Sequence, residues 1–128
     1  MTDRGQALVE LALVLPLLLT VAVGLAVLGE LGVARLALEH AAAEGARAVA
    51  LTNDDGEART TVDAASAPLD ARLVALTIAP PLADRPLDPR GTLVRVDLTF
   101  PLAVPLAFAG VPRLVVRAAA VRRIEWTP

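Results

Sequence analysis

The chain has 128 residues, of which 55% are hydrophobic and 20% are charged, and its mean hydropathy is +0.61. This composition is too apolar for an ordinary soluble domain of this size and indicates that part of the chain contacts lipid. The net charge is −2, and the twelve basic residues, all arginine, are spread along the chain, which argues against a nucleic-acid partner. The sequence contains no cysteine, so thiol redox chemistry, disulfides and zinc-thiolate sites are excluded.

The first predicted element is a membrane-spanning helix near the N-terminus. Residues 11–29 contain no charged residue, and a helix of that length rises about 28 Å, close to the roughly 30 Å hydrocarbon thickness of a bilayer. A secretory signal peptide has a shorter apolar core and a small-residue cleavage site, whereas here helix-forming sequence continues to about Leu51. We therefore predict a retained anchor, in which residues 6–30 form the membrane half of a long helix.

From Val33 to Leu51 the pattern changes from uniformly apolar to amphipathic, which predicts a second half of the same helix over residues 31–52. The charged face is formed by Arg35, Glu39, Glu44 and Arg47. The opposite face consists mainly of small residues, namely Ala34, Leu38, Ala41, Ala42, Gly45 and Val49. A face of small residues allows a sheet or another helix to approach closely. We predict that the helix stops at Asn53 to Gly56, where the glycine is available for a left-handed backbone.

Beyond the helix, residues 57–67 indicate a short helix ending at Pro68, and the pattern then becomes alternating. Three strands are predicted, from Arg72 to Ile78, from Thr92 to Phe100 and from Arg113 to Trp126. Their apolar faces are formed by Val74, Leu76 and Ile78, by Val94, Val96, Leu98 and Phe100, and by Leu114, Val116, Ala118, Ala120, Ile124 and Trp126. Arg122 departs from the alternation and marks a bulge or a frayed edge.

Pro-rich loops between these strands indicate a small antiparallel sheet with one face to cover, and the second half of the long helix is available to cover it. The predicted fold class is therefore α+β, with a long N-terminal helix packed on a sheet of about three strands and a small α+β head over residues 53–128. The apolar run from Leu98 to Val111 is too short to span a bilayer. It either packs over the sheet, which we favour slightly, or forms a docking surface.

The segment Gly5-Gln6-Ala7-Leu8-Val9-Glu10 resembles the class III signal of type IV pilin-like proteins. In that signal a prepilin peptidase cuts after the glycine and leaves a glutamate at the fifth position of the mature chain. The stretches RGQALVELALVLPLLL, ALEHAAAEGARAVAL, TLVRVDLTFPLAVPL and RAAAVRRIEW together resemble TadE-like proteins, which are minor pilin-like (pseudopilin) components of tight-adherence (Tad) pilus systems. One departure is Leu11, because an aromatic residue often follows the glutamate in the family.

The resemblance implies a structural protein with no catalysis and no cofactor, a minor pilin that takes part in pilus assembly and surface attachment. It implies that residues 1–5 are a leader, that cleavage separates Gly5 from Gln6, and that the N-terminus is cytoplasmic while residues 31–128 lie outside the cytoplasm. The implied partners are the prepilin peptidase, the inner-membrane assembly platform and other pilins. Two alternatives stay open, a major pilin and a membrane-anchored extracytoplasmic binding domain.

Glu10 lies near the N-terminal edge of the predicted span, where its side chain can reach water. Cleavage would create an α-amino group on Gln6, and extraction into a filament would bury both charges among packed helices. The amine of a neighbouring subunit is then the expected partner of Glu10, in a charge pair that sets the register. The competing interpretation is a plain signal anchor with a glutamate at its boundary, since Gly-x4-Glu is a short pattern.

Several other residues have two interpretations each. Pro16 removes a helical hydrogen bond to the Ala12 carbonyl and predicts a kink, which reflects either loosening of the helix in a filament or the ordinary tolerance of membrane helices for proline. Gly24, Gly29 and Gly32 either form a seam for close packing of helices or are ordinary glycines of a membrane helix. His40, the only histidine, is assigned to a solvated helix face, and the Asn53 to Glu57 cluster to a helix stop, so no metal site is predicted.

Overall fold

The computed structural model describes the backbone of residues 3–106 and 110–128, and the side chains of residues 5–105, 110 and 113–128. The chain forms two compact units, Met1–Glu30 and Leu31–Pro128. Its elements are helix α1 (Asp3–Thr52), helix α2 (Asp55–Ala65), strand β1 (Ala75–Ala79), strand β2 (Leu93–Leu106) and strand β3 (Val111–Arg123), with short 3-10 turns at Ala71–Leu73 and Leu82–Asp84. The predicted α+β class is confirmed.

Helix α1 is continuous from the first turn to Thr52, which matches the predicted long helix to within three residues at either end. The prediction that a glycine supplies the left-handed residue after this helix is wrong. Asn53 has a φ of 51° instead, and Gly56 lies inside α2. Asparagine tolerates this region better than other residues with a side chain. The Asn53 N–H still donates to the Val49 carbonyl at 2.8 Å, so the helix ends without losing that bond.

Helix α2 begins two residues earlier than predicted because Asp54 caps it. The Asp54 carboxylate accepts hydrogen bonds from the backbone N–H groups of Gly56 at 2.7 Å and Glu57 at 3.4 Å. Acidic residues in the first turn, Asp55 and Glu57, also interact favourably with the positive end of the helix dipole. The helix turns Ala58 and Val62 into the interior of the head.

The three strands form one antiparallel sheet, as predicted, and their order in it is β1-β2-β3. Strand β1 begins at Ala75 rather than at Arg72, because the Asp70 carboxylate accepts a hydrogen bond from the Arg72 N–H and starts a 3-10 turn there. Strand β3 ends at Arg123 rather than at Trp126. Beyond it the N–H groups of Glu125 and Trp126 donate to the Ala50 carbonyl at 2.8 and 3.1 Å, which ties the C-terminal segment to the end of α1.

Strand β2 continues six residues beyond its predicted end at Phe100, through Pro101 and Pro105. The short β1 pairs only with residues 95–99 of β2, so from Phe100 onward β2 has a partner on the β3 side alone. Up to Ala103 the odd-numbered residues of β2 point their backbone groups toward β1, so Pro101 removes no bond to β3. Pro105 lies in the irregularity between Ala103 and Leu106, where the register shifts. The run from Leu98 to Val111 is therefore largely strand, and its residues 107–109 lie outside the described part.

The core of the head lies between the small-residue face of α1, helix α2 and one face of the sheet. All six residues predicted for that face of α1 are buried, and so are the four on β2. A Cβ atom built on Gly45 would lie 2.5 Å from Cγ2 of Val62 and 3.6 Å from Cγ1 of Val96, so α2 and β2 both press against this glycine. The predicted role of small residues in allowing close approach is confirmed.

Arg85 is the one charged side chain that the structure buries almost completely within its described part, at 1% exposure. Its guanidinium donates to the Pro80 carbonyl at 3.0 Å, to Oδ1 of Asn53 at 3.2 Å and to the Asp55 carboxylate. This cluster holds the proline-rich loop after β1 against the junction of α1 and α2. No sequence pattern marks Arg85, because its partners lie about thirty residues away along the chain.

Candidate functional site

The segment from Gly5 to Glu10 occupies the first two turns of helix α1. Gly5 is half-buried, whereas Gln6 and Glu10 are exposed. The N–H groups of a first helical turn have no carbonyl partner within the helix, and glycine is a weak helix former. The predicted cleavage position after Gly5 therefore lies in the weakly bonded first turns of α1.

Gln6 and Glu10 are four residues apart and lie on the same side of α1, about 6 Å apart along the axis. Helical side chains lean toward the N-terminus, so the Glu10 carboxylate leans toward Gln6. The ion pairs found within the described residues all lie between positions 35 and 97 and do not include Glu10. The geometry thus offers an exposed carboxylate one turn from the predicted new amine.

The helix that follows presents an apolar surface on all sides. Within the described residues, α1 is the one helix that is long and apolar enough to cross a membrane. Its exposed leucine and valine side chains in the predicted span are between 45% and 73% accessible. They are Leu8, Val9, Leu11, Leu13, Val14, Leu15, Leu17, Leu18, Leu19, Val21, Leu25 and Leu28. Such a surface fits a single-pass membrane anchor, and it equally fits a helix packed among other apolar helices.

Pro16 lies inside α1, and helical structure continues on both sides of it. The Thr20 hydroxyl donates to the Pro16 carbonyl at 2.8 Å, one turn further on. The kink at Pro16 stays a prediction. Gly24, Gly29 and Gly32 each face open space, since a Cβ atom at these positions meets nothing within 4 Å, and the seam they would form also stays a prediction.

The outer face of the sheet carries a surface that sequence analysis did not identify. Its charged residues within the described part are Arg95, Asp97, Arg113, Arg117 and Arg123, which gives four positive groups against one negative group. Strand alternation does place these residues on the face opposite the core, and adding up their charges was the signal available in the sequence. A shallow hollow on this face is lined by Arg95, Asp97, Thr99, Arg117 and Ala119.

The single carboxylate of that face is held by its neighbour on the same strand. Arg95 donates from Nε to Asp97 at 2.7 Å and from Nη2 at 2.8 Å. Hydrogen bonding from Arg95 lowers the pKa of Asp97 and raises that of Arg95. Asp97 is therefore already paired and stays ionised at neutral pH, which leaves the other three arginines to set the charge of the face.

Helix α1 ends at Thr52, directly before the Asn53 to Glu57 cluster, which agrees with the predicted helix stop. His40 is exposed on α1. In the cluster Asn53 and Asp55 bind Arg85, while Asp54 caps α2. Among the described residues, no group of three or more His, Asp or Glu side chains is placed to hold a metal ion.

Comparison with known proteins identifies the N-terminal part of the chain. Residues 5–47 match the family model described as TadE-like protein, which is the family that the sequence resembles. The match begins at Gly5, ends five residues before the end of α1 and covers roughly a third of the chain. No curated protein and no solved structure matches the chain. TadE-like proteins are structural pilus components, and the match associates the chain with the Tad pilus machinery.

Proposed function

We propose that this chain, whose residues 5–47 are TadE-like, is a minor pilin-like subunit of a Tad-type pilus that a prepilin peptidase processes before assembly. The observation that carries the proposal is the position of Gly5 and Glu10 at the start of an exposed apolar helix inside the matched segment. The same helix continues into a folded head, as expected of a subunit whose helix packs in a filament core. Surface attachment by the pilus is the role that follows for the assembled structure.

In this proposal residues 1–5 are a leader on the cytoplasmic side, residues 6–30 span the inner membrane, and residues 31–128 lie outside the cytoplasm. Cleavage after Gly5 removes the leader and frees the α-amino group of Gln6. The mature helix then begins with a positive amine and carries Glu10 one turn later. The assembly platform lifts this helix out of the bilayer and into contact with the helices of other pilins.

Glu10 acts in the filament rather than in the precursor. At the membrane edge its carboxylate is hydrated, so the precursor carries little penalty. Among packed apolar helices an unpaired carboxylate would cost about 3–5 kcal/mol, and the amine of a neighbouring subunit removes most of that penalty. A helix shifted along the bundle would separate the two charges. Glu10 therefore sets the axial register of the subunit more than its stability.

Processing is tested by N-terminal sequencing and intact mass of the protein expressed with its peptidase. We expect a mature chain that begins at Gln6, and we expect Gly5→Val to abolish this cleavage. Gly24→Val is the matched control, because it makes the same change in the same helix at a position that faces open space. A protein that retains Met1, or one whose processing Gly5→Val leaves unchanged, would overturn the proposal.

Assembly is tested with Glu10→Gln, which removes the charge and keeps the size of the side chain. We expect normal cleavage together with a loss of incorporation into pili, measured on sheared filaments. Glu30→Gln is the control, since Glu30 is also an exposed carboxylate of α1. A membrane-anchored binding domain predicts instead that Glu10→Gln leaves function intact, and that outcome contradicts the role given to Glu10.

The proposal of a minor rather than a major subunit has its own test. Immunogold labelling of the head should mark isolated positions on each filament, and quantitative mass spectrometry should find the chain well below the level of the main pilin. Continuous labelling along the filament would instead identify a major pilin.

A further inference from the structure

Strand β3 forms one edge of the sheet over thirteen residues, Val111–Arg123, and no strand among the described residues pairs with that edge. The Ile124 N–H donates to the Thr92 carbonyl, so even-numbered residues of this segment bond toward β2. Because antiparallel pairs alternate, the odd-numbered residues of β3 turn their N–H and C=O groups outward. Within the described part of the chain, no other segment forms backbone bonds with those outward groups.

The side chains of the same odd-numbered residues lie on the outer face of the sheet and are exposed from Arg113 to Arg123. An added strand would therefore meet free backbone groups at the edge and the side chains of Arg113, Arg117 and Arg123 beside it. Val115 and Val121, at 61% and 52% exposure, supply apolar contacts between the arginines. This combination of backbone ladder and alternating side chains is how sheet edges recognise extended peptides.

Charge decides which strand fits. Strand β3 contains four arginines and no acidic residue. Charged residues on an edge strand discourage pairing between identical edges. Two antiparallel copies of β3 would bring arginines of one copy close to arginines of the other, and like charges across strands are destabilising. The charges thus oppose a second copy of this chain and favour a partner strand of the opposite sign.

We propose that the free edge of β3 binds an extended acidic segment of another polypeptide, which adds as a fourth antiparallel strand with carboxylates opposite Arg113, Arg117 and Arg123. The backbone ladder supplies the sequence-independent part of the binding, and the arginines select for acidic partners. The inference concerns the head alone and does not depend on the processing of Gly5 or on the role of Glu10.

The test uses the full chain in uncharged detergent micelles and a separate fluorescent peptide with as many residues as the segment Arg113–Arg123. The peptide carries glutamate opposite the three arginines and threonine or valine elsewhere. We expect saturable binding by fluorescence anisotropy that weakens as salt is added. We also expect slower hydrogen exchange at the amides of Val115, Arg117, Ala119 and Val121, which face the free edge.

Two kinds of variant separate strand addition from simple attraction. Ala119→Pro removes one outward N–H and leaves the ladder to β2 intact, so it should weaken binding at least tenfold while the head stays folded. A second peptide carries lysine in place of each glutamate. Arg117→Glu should weaken binding of the glutamate peptide about two- to fivefold and strengthen binding of this lysine peptide. Arg122→Gln, on the opposite face of β3, is the control and should bind like the wild type.

Three results would overturn the inference. Equal binding of the glutamate peptide and its lysine counterpart removes the role of charge, and unchanged binding by a folded Ala119→Pro variant removes the role of the backbone edge. In a separate arm, the chain is placed in nanodiscs of zwitterionic or anionic lipid. Protection of the β3 amides by anionic lipid, without any binding of the peptide, would assign the arginine face to a membrane surface instead.

Discussion

Replacing Gly45 with alanine should destabilise the head although alanine is the better helix former. The new Cβ atom would lie 2.5 Å from Cγ2 of Val62, closer than real Cβ contacts, and 3.6 Å from Cγ1 of Val96. Val62 cannot move away cheaply, because a β-branched residue in a helix has one strongly preferred rotamer. Overpacking of this kind costs about 1–3 kcal/mol, against about 1 kcal/mol gained from helix propensity. We expect a net loss of up to about 2 kcal/mol.

The measurement is urea unfolding of the full chain in micelles, followed by the fluorescence of Trp126. This residue is the only tryptophan and is half-buried against the core of the head. Gly32→Ala is the matched control, since Gly32 is exposed on the same helix with open space around it. It should leave the stability unchanged or raise it by up to about 1 kcal/mol.

The contact itself is tested by a double-mutant cycle. Val62→Ala alone should cost about 1.6 kcal/mol for two buried methyl groups, with a further cost for the cavity. In the double variant the alanine at position 45 occupies part of that cavity, so the combined loss should be smaller than the sum by more than about 0.5 kcal/mol. Additive losses, or a Gly45→Ala variant as stable as Gly32→Ala, would refute the close contact between α1 and α2.

Three further changes test other parts of the head by the same urea assay. Arg85→Ala should cost about 2–4 kcal/mol, somewhat less than breaking a fully buried pair, because Asp55 is 32% exposed. An effect below about 1 kcal/mol would contradict the stabilising role of the bonds from Arg85 to Pro80, Asn53 and Asp55. Asp54→Ala should cost about 1 kcal/mol through loss of the α2 cap, and Asp54→Asn should retain most of the stability. Arg95 lowers the pKa of Asp97, so the ionised carboxylate stabilises the folded state above its ordinary pKa. This part of the free energy of unfolding is lost as the pH falls below about 4, and the loss should be smaller in Asp97→Asn.

The sequence was sufficient for the parts of the fold that periodicity determines. The six residues of the inner face of α1, most of them small, repeat at helical spacing, and Val94, Val96, Leu98 and Phe100 alternate as a strand. Burial on one face produces both patterns, so the buried sets were predicted before any contact was known. The candidate site could be proposed from the sequence for a different reason. Gly5 and Glu10 stand at a characteristic spacing ahead of an apolar run.

Features that depend on distant partners were not predictable in this way. Pro101 normally argues against a central strand, and it is tolerated here only because β1 is too short to reach it. Arg85 is an unremarkable loop residue until folding brings Asn53 and Asp55 to its guanidinium. The proposed partner of Glu10 is more distant still, because it belongs to another subunit. The sequence of one chain specifies the carboxylate, but the proposed partner is present only in an assembly of several chains.

The bonds from Glu125 and Trp126 to the carbonyl of Ala50 have a consequence for the order of events during synthesis. A ribosome completes α1 long before it reaches β3. The inner face of α1 is therefore covered only after most of the head has been synthesised. During that interval Leu38 and Val49, which the finished head buries, stay uncovered. The head therefore closes late, and a chain stalled before residue 111 would leave the apolar stripe of α1 without the strand that completes its cover.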